Sequence, residues 1–271
     1  MGAGARTALE NHKPLSPGAT SSFEVLGVRV DAVQIPDAIA RMEEWIARRE
    51  SCRFVAVTDM HSVMEGQHDK RFKSVLAGAD LVVPDGFSLV WLGRRKGFAL
   101  RSRVCGPELM AAFCERTACK ECRHFFYGGA PGVAEDLAVR FTARFPGLIV
   151  AGTYCPPFRE LTPEEDREVV EAIEGSRADV VWVGLGAPKQ ELWMFEHRER
   201  LSVPVLIGVG AAFDFHTGRV PRAPGWMRDH GFEWLFRLAM EPRRLWKRYV
   251  VYGSEFILLV ALESVGLKKS S

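Results

Sequence analysis

The chain has 271 residues, of which 47% are hydrophobic and 26% are charged, and its formal net charge is +2. These values are typical of a globular protein with a sizeable core, and they give no reason to expect nucleic acid as a partner. Six irregularly spaced cysteines do not suggest a disulfide framework, and we find neither a signal peptide nor a clear transmembrane segment. We therefore expect a cytoplasmic protein.

Strands and helices are predicted to alternate along most of the chain, after a polar leader at residues 1–22 that we expect to be disordered. The predicted strands are FEVLGVRVDAV (a hairpin), RFVAVT, ADLVVP, RHFFYGG, GLIVAGTY, ADVVWVGLG and VPVLIGVGAAF. The predicted helices cover residues 37–49, 61–76, 86–95, 107–117, 131–145, 162–176 and 188–201. Several strands are continuous apolar runs, which is typical of strands covered on both faces. The sequence therefore predicts an α/β fold over residues 23–230, with a mostly parallel sheet flanked by helices.

The chain becomes aromatic and basic after about Gly231. The basic residues lie in a short span whose only acid is Glu241, and they are Arg237, Arg243, Arg244, Lys247 and Arg248. Tryptophan, phenylalanine and leucine alternate with them, a composition that suits an anionic lipid surface. The alternatives are packing on the core or contact with a second copy. We predict that residues 231–271 form a helical, membrane-associating appendage.

Four turns are predicted to follow strands at the edge where parallel sheets bind ligands, and they are TDMH, PDG, YGGAPG and GLGAPKQE. In the last two, a glycine-rich turn leads to a proline that we place at the first helical position. Glycine lets a ligand approach the backbone closely, and the N–H groups of a helix start favour an anion, so two such turns could hold a diphosphate. The alternative is a purely structural turn. Neither turn is a Walker A loop or GxGxxG, so ATP and NAD lose support.

Individual polar residues at these turns suggest more specific roles. Lys189 can offset phosphate charge, and Gln190 can bridge sugar hydroxyls. Asp85 and Asp214 each follow an apolar strand, where a carboxylate can serve a site or simply form a turn or a helix cap. Two further groups, His61 with Glu65 and the CKEC segment near Cys114 and His124, are more typical of structure than of a metal site.

Seven motifs occur in an order and spacing that resemble one known family. They are TDMHSVMEG, ADLVVPDGFSLVWLGR, RVCGPELM, FFYGGAPGVAEDLA, VVWVGLGAPKQELWM, IGVGAAFDFHTGRVPRAPGWM and GFEWLFRLAMEPRRLWKRY. Together they resemble the WecG/TagA/CpsF glycosyltransferases of bacterial surface polysaccharide assembly, over residues 23–249. The resemblance implies a Rossmann-like fold and inverting transfer from a UDP-sugar, typically UDP-N-acetylmannosamine or a relative. It also implies a sugar acceptor on undecaprenyl diphosphate, an appendage that closes the site at the inner face of the membrane, and a homo-oligomer as a partner to consider.

The resemblance also implies roles for particular residues. Asp85 matches the general base, and Thr58, Arg103 and Gln190 match polar residues around the reacting sugars. The appendage arginines that match groups near the departing UDP are Arg237, Arg243, Arg244 and Arg248. The candidate UDP-sugar-binding residues are Gly128, Gly129, Pro131, Gly132, Gly184, Gly186, Lys189 and Asp214. Many members carry Asn shortly after the threonine, whereas this chain has Asp59, Met60 and His61.

The implied chemistry needs one base and a positive environment for the leaving diphosphate. Many UDP-sugar transferases hold a metal on a D-x-D pair, and this sequence contains no D-x-D. We therefore expect a metal-independent enzyme without a cofactor, in which arginine, lysine and helix N-termini meet the diphosphate. The alternatives are another nucleotide-sugar transferase or hydrolase, and a non-catalytic nucleotide-sugar-binding subunit of a polysaccharide assembly complex.

Overall fold

A computed structural model describes residues 21–265 of the protein, so most of the predicted leader and the last six residues of the chain lie outside the described part. The described chain begins with an antiparallel hairpin of β1 (Ser22–Val25) and β2 (Val28–Asp31). Leu26 and Gly27 connect the strands with φ of 50° and 73°, as a two-residue hairpin turn with left-handed backbone requires. The predicted hairpin is confirmed.

A six-stranded sheet, parallel throughout, forms the centre of the fold. Its strands are β3 (Arg53–Thr58), β4 (Leu81–Pro84), β5 (Arg123–Gly128), β6 (Ile149–Tyr154), β7 (Val180–Gly184) and β8 (Val205–Gly208). The spatial order is β4-β3-β8-β7-β5-β6, and every neighbouring pair is parallel. The predicted α/β fold with a parallel sheet is therefore confirmed.

Helices cover both faces of the sheet. Those that precede the appendage are α1 (Ile35–Arg48), α2 (Met60–His68), α3 (Lys70–Ala77), α4 (Phe87–Arg95), α5 (Gly106–Thr117), α6 (Val133–Arg144), α7 (Pro163–Ser176), α8 (Lys189–His197), α9 (Ala212–Thr217) and α10 (Gly225–Asp229). Successive residues of β3 pack on opposite sides, with Phe54 and Ala56 in one apolar cluster and Val55 and Val57 in the other. This two-sided burial explains why the strand sequences are continuous apolar runs.

Two predicted elements differ from the structure for local reasons. The single helix predicted over 61–76 is broken at Asp69, whose carboxylate accepts from the amides of Arg71 and Phe72 and caps a new helix. The last predicted strand ends at Gly208, because Gly210 turns the chain with φ of 54° into α9.

The C-terminal part of the described chain is helical. It consists of α11 (Glu233–Met240), α12 (Pro242–Trp246), a π-helical turn (Lys247–Val251) and α13 (Tyr252–Ser264), and α13 packs on α2. Leu245 and Phe256 are the side chains that these helices bury most completely. Among residues 21–265, no helix combines the length and apolar composition needed to cross a bilayer.

Candidate active site

The two glycine turns meet where the connections of neighbouring strands diverge. β5 leads through α6 to β6 on one side, whereas the adjacent β7 leads through α8 to β8 on the other. Such a divergence opens a crevice at the carboxyl edge of a parallel sheet. Gly128 lies opposite Gly184, and a Cβ at Gly128 would lie 2.6 Å from the Gly184 carbonyl oxygen. Glycine is therefore required for this close approach of the two strand ends.

The helix starts beyond these turns differ from the prediction. Gly132 has φ of 79° and is the N-cap of α6, so Pro131 lies in the turn before the helix. Pro188 follows a cis peptide bond and is the N-cap of α8. The prediction of proline at the first helical position is wrong in both cases, because each proline belongs to the turn. Within the described residues, no side chain caps either helix start, but the Val133 amide of α6 donates to the Ala130 carbonyl oxygen and the Gln190 amide of α8 donates to that of Gly186.

The Gln190 side chain forms hydrogen bonds within the protein and is not exposed in the crevice. Its side chain is buried, its Oε1 accepts from the Gly210 amide at 2.9 Å, and its Nε2 donates to Glu191 Oε1 at 2.8 Å. The start of α8 is thereby tied to the loop after β8. Lys189, the preceding residue, is exposed.

Asp214 lies inside α9, whose N-cap is Ala211, so Asp214 is not a helix cap. Burial raises the pKa of the Asp214 carboxyl, and Arg219 opposes that shift. Arg219 also reaches the glycine turn, with its Nη2 at 3.7 Å from the position that a Cβ of Gly132 would take. Sequence reasoning missed Arg219, which adds a cation beside the α6 turn.

A cavity of about 690 Å³ lies at the ends of β3 and β4, beneath the C-terminal helices; we call it the appendage cavity. Asp85 and Arg103 line it from the core, and Arg237 and Arg248 line it from the appendage. The structure therefore brings together four of the predicted site residues. Within the described chain, the glycine turns are not among the residues that line this cavity.

Asp85 is held rigidly at the rim of β4. Its backbone amide donates to the Thr58 carbonyl oxygen at 2.8 Å, which extends the pairing of β3 with β4 by one residue. Thr58 itself is buried directly beneath this rim. Asp85 Oδ1 is buried and has no hydrogen-bond partner among residues 21–265.

The carboxyl group of Asp85 is poised to take up a proton near neutral pH. Burial raises its pKa to about 7, Arg103 opposes the shift, and the nearby carboxylates of Asp59, Glu233 and Glu108 reinforce it. A base with an unpartnered oxygen and a pKa close to neutrality suits general base catalysis.

Arg103 forms a short ion pair with Glu233, at the start of α11. The two side chains are 23% and 13% exposed, so the pair is largely shielded from water. Arg222 lies 4.0 Å from the other oxygen of Glu233. Glu233 was missed by sequence reasoning, and its contact with Arg103 joins the appendage to the wall that holds Asp85.

Asp59 and Arg248 form a second link across the cavity. Arg248 Nη2 lies 2.5 Å from Asp59 Oδ2, while Asp59 Oδ1 accepts from the Ser62 amide at 3.0 Å and caps α2. Burial alone would raise the pKa of Asp59, but Arg248, His61 and the Ser62 amide outweigh burial and lower the pKa to about 2. Asp59, the first of the three residues at which this chain departs from the family pattern, is therefore an ionised partner of an appendage arginine.

The four appendage arginines divide into two groups. Arg237 lies in the cavity with its guanidinium 5.7 Å from the centre of the Phe215 ring. Its Nε is buried and has no hydrogen-bond partner within the described chain. Arg243 and Arg244 are exposed outside the cavity lining, and Arg244 pairs with Glu241.

His124 has a structural role. Trp182 Nε1 donates to its Nδ1 at 3.1 Å, so its Nε2 carries the proton and donates to Thr117 Oγ1 at 2.9 Å. Burial lowers the pKa of His124 to about 3. Within residues 21–265, no three His, Cys, Asp or Glu side chains come together as a metal site.

The protein thus has an α/β fold with a site at the carboxyl edge of its sheet. This site combines a carboxyl group whose pKa is close to neutrality with several guanidinium groups. Residues 23–270 match the sequence model of the Glycosyl transferase WecG/TagA/CpsF family, and the chain belongs to this family.

Two relatives have the same name, N-acetylglucosaminyldiphosphoundecaprenol N-acetyl-beta-D-mannosaminyltransferase. The protein from Bacillus spizizenii is 30% identical over 215 residues, which cover 79% of this chain and 81% of the relative. The protein from Bacillus subtilis is 30% identical over 180 residues, which cover 66% of this chain and 68% of the relative.

Proposed function

We propose that this protein is an inverting glycosyltransferase that moves an N-acetylmannosamine-like sugar from a UDP-sugar to a polyprenyl-diphosphate-linked sugar. Membership of the family and the names of the two relatives support a transferase that acts on a lipid-linked sugar. The observation that carries the proposal is the unpartnered Asp85 oxygen in a cavity lined by guanidinium groups.

Asp85 acts as the general base in this mechanism. Its free Oδ1 accepts the proton of the acceptor hydroxyl as the hydroxyl oxygen attacks the anomeric carbon. The bond between that carbon and the UDP oxygen breaks in the same displacement, so the configuration inverts. Inverting glycosidases likewise use a general base and no covalent nucleophile, and their second carboxyl group, the general acid, is not needed here because UDP leaves as an anion.

Arginines from the appendage stabilise the leaving group. Negative charge grows on the UDP diphosphate as the bond breaks, and Arg237 and Arg248 line the cavity where this occurs. The glycine turns, Lys189 and Asp214 hold the donor nucleotide at the ends of β5, β7 and β8, of which β8 is the neighbour of β3, with Arg219 as an additional cation. We propose that no metal takes part, and transfer should then persist in EDTA.

The appendage, residues 231–271, couples catalysis to the membrane. Its exposed apolar side chains include Trp246, Ile257 and Leu258, at 53%, 71% and 58% exposure. Trp246 lies among basic residues, whereas Ile257 and Leu258 belong to α13, which carries no basic residue. We propose peripheral binding at the inner face of the cell membrane, where the lipid-linked acceptor is found. Contact with a second copy is the alternative use of this surface.

A donor screen tests the proposed function. UDP-sugars are incubated with synthetic N-acetylglucosamine diphosphate lipid, and products are read by mass spectrometry. We expect one donor, N-acetylmannosamine-like, to add one sugar to the acceptor in a reaction that Asp85→Asn abolishes while UDP still binds. A hydrolase would release free sugar without acceptor. A non-catalytic binding subunit would bind UDP, give no product with any donor, and be indifferent to Asp85→Asn.

A further inference from the structure

The appendage cavity has two chemically distinct ends. Its charged lining residues come from outside α4 and α13, and they are Asp59, Asp85, Arg103, Arg222, Glu233, Arg237 and Arg248. The residues that α4 and α13 contribute are uncharged. The lining of one cavity therefore combines charged groups, Asp85 among them, which we call the ionic end, with uncharged residues of two helices, which we call the apolar end and which include Ser88 and Ser254.

The apolar end is lined by residues of two helices. Phe87 and Trp91 are four residues apart on α4, and Gly253, Phe256 and Ile257 are three and four residues apart on α13. These spacings place each set on one face of its helix. Gly253 leaves room in the cavity beside Met60 of α2: among residues 21–265, apart from its own helix backbone, the Met60 Cε at 3.9 Å is the one atom within 4 Å of a Cβ built at this glycine.

This apolar end is continuous with the exposed surface of the appendage. Phe87, Trp91 and Ile257 are 49%, 47% and 71% exposed although they line the cavity. Leu258, the next residue of α13, is 58% exposed on the outer surface. A ligand that entered the ionic end could thus extend an apolar tail along the helices towards a lipid surface.

We propose that the groove between α4 and α13 binds the first isoprenoid units of the lipid-linked acceptor, and that its diphosphate and sugar occupy the ionic end. This inference rests on the proposed function for the identity of the acceptor. The match is one of chemistry: the acceptor joins a polar sugar and an anionic diphosphate to a linear apolar chain, in the order in which the cavity presents its ionic and apolar ends. Binding of the tail in the groove would fix the distance between the acceptor sugar hydroxyl and the Asp85 carboxylate.

Binding of soluble acceptor analogues tests this groove without a membrane. The probes are N-acetylglucosamine diphosphates with a butyl or a farnesyl tail, kept below the concentration at which they form micelles, and the Kd is measured by calorimetry. Each methylene buried in a groove strengthens binding by a factor of about four, so the farnesyl compound should bind at least about tenfold more tightly. This measurement needs no turnover. Failure of the proposed function, seen as no product in the donor screen, is therefore distinguishable from failure of this inference, seen as no effect of the tail on the Kd.

Gly253→Leu fills the groove, and Gly175→Leu is its matched control. Both glycines lie in helices with space for a side chain, and Gly175, in α7, has no atom of the described chain outside its own helix backbone within 4 Å of a built Cβ. Leucine is a better helix former than glycine at both positions. We expect Gly253→Leu to reduce the farnesyl preference to about twofold or less, and Gly175→Leu to keep it.

Two results would overturn the proposal that this groove binds the isoprenoid tail. The first is a wild-type Kd that does not depend on the tail. The second is a farnesyl preference that survives Gly253→Leu, since the tail would then bind elsewhere on the apolar surface. Trp91→Ala, which removes one wall from a half-exposed position, provides a second variant and should also weaken farnesyl binding selectively.

Discussion

Replacing Asp85 by Asn should abolish transfer and, at the same time, stabilise the protein at alkaline pH. The carboxyl group has a pKa near 3.8 in the unfolded chain and about 7 in the folded protein, chiefly because of burial. The folded state therefore binds more protons than the unfolded state between these values. Folding stability consequently falls as pH rises from about 4 to about 7 and then levels off. Asparagine carries no charge at any pH in this range, so it removes this loss.

The size of the effect follows from the shift. Each pKa unit corresponds to about 1.4 kcal/mol, so the whole shift corresponds to about 4 kcal/mol. About 3 kcal/mol of this lies between about pH 5 and about pH 8.5. A carboxyl group retained at such a cost to stability is typical of an active site.

Urea unfolding at these two pH values measures the effect. The gain in unfolding free energy of Asp85→Asn over the wild type should be larger at the higher pH by about 3 kcal/mol. Glu191→Gln is a positive control, because burial also raises the pKa of the Glu191 carboxyl to about 7 and this group does not line the cavity. If Glu191→Gln shows the pH dependence and Asp85→Asn does not, Asp85 ionises normally and our reasoning about the base is refuted.

Three further predictions concern the appendage. Asp59→Asn breaks the ion pair with Arg248, so kcat should fall about tenfold. It also removes a charge that raises the pKa of Asp85, so the acid limb of the pH–rate profile should move to lower pH, and an unchanged profile would contradict this. Arg237→Ala should lower transfer at least about tenfold, whereas the exposed Arg243→Ala should stay within about twofold, and equal effects would remove Arg237 from the site. Deletion from Pro242 onward should abolish transfer and leave a core that unfolds cooperatively by circular dichroism; full activity of the deletion variant in solution would refute the coupling to the appendage.

The sequence predicts the sheet well, because each of its strands is a local apolar run between turn residues, as in RFVAVT and LVVP. Asp85 is also predictable, since a carboxylate directly after such a run lies at the carboxyl edge of the sheet. Helix boundaries are less predictable where one side chain decides them, as the Asp69 cap and the left-handed Gly132 do. Each of these residues fixes where a helix begins, at a position that the hydrophobic pattern alone does not indicate.

The electrostatic partners in the cavity could not be predicted from local patterns. Arg103 and Glu233 are 130 residues apart in the chain, and Asp59 and Arg248 are 189 apart. Their pairing depends on how the appendage packs against α2, which no single segment specifies. The division of the appendage arginines, with Arg237 inside the cavity and Arg243 outside, depends on the same packing.

The most direct test of the account is the pH dependence of kcat/KM for sugar transfer, measured for the wild type and for Asp85→Asn, with UDP affinity as the control. We expect an acid limb with a midpoint near the Asp85 pKa of about 7. We also expect a loss of at least about a hundredfold in Asp85→Asn with UDP binding retained. A midpoint near that of an ordinary carboxyl group, or an Asp85→Asn variant that transfers sugar at close to the wild-type rate, would contradict the role of Asp85 as the base.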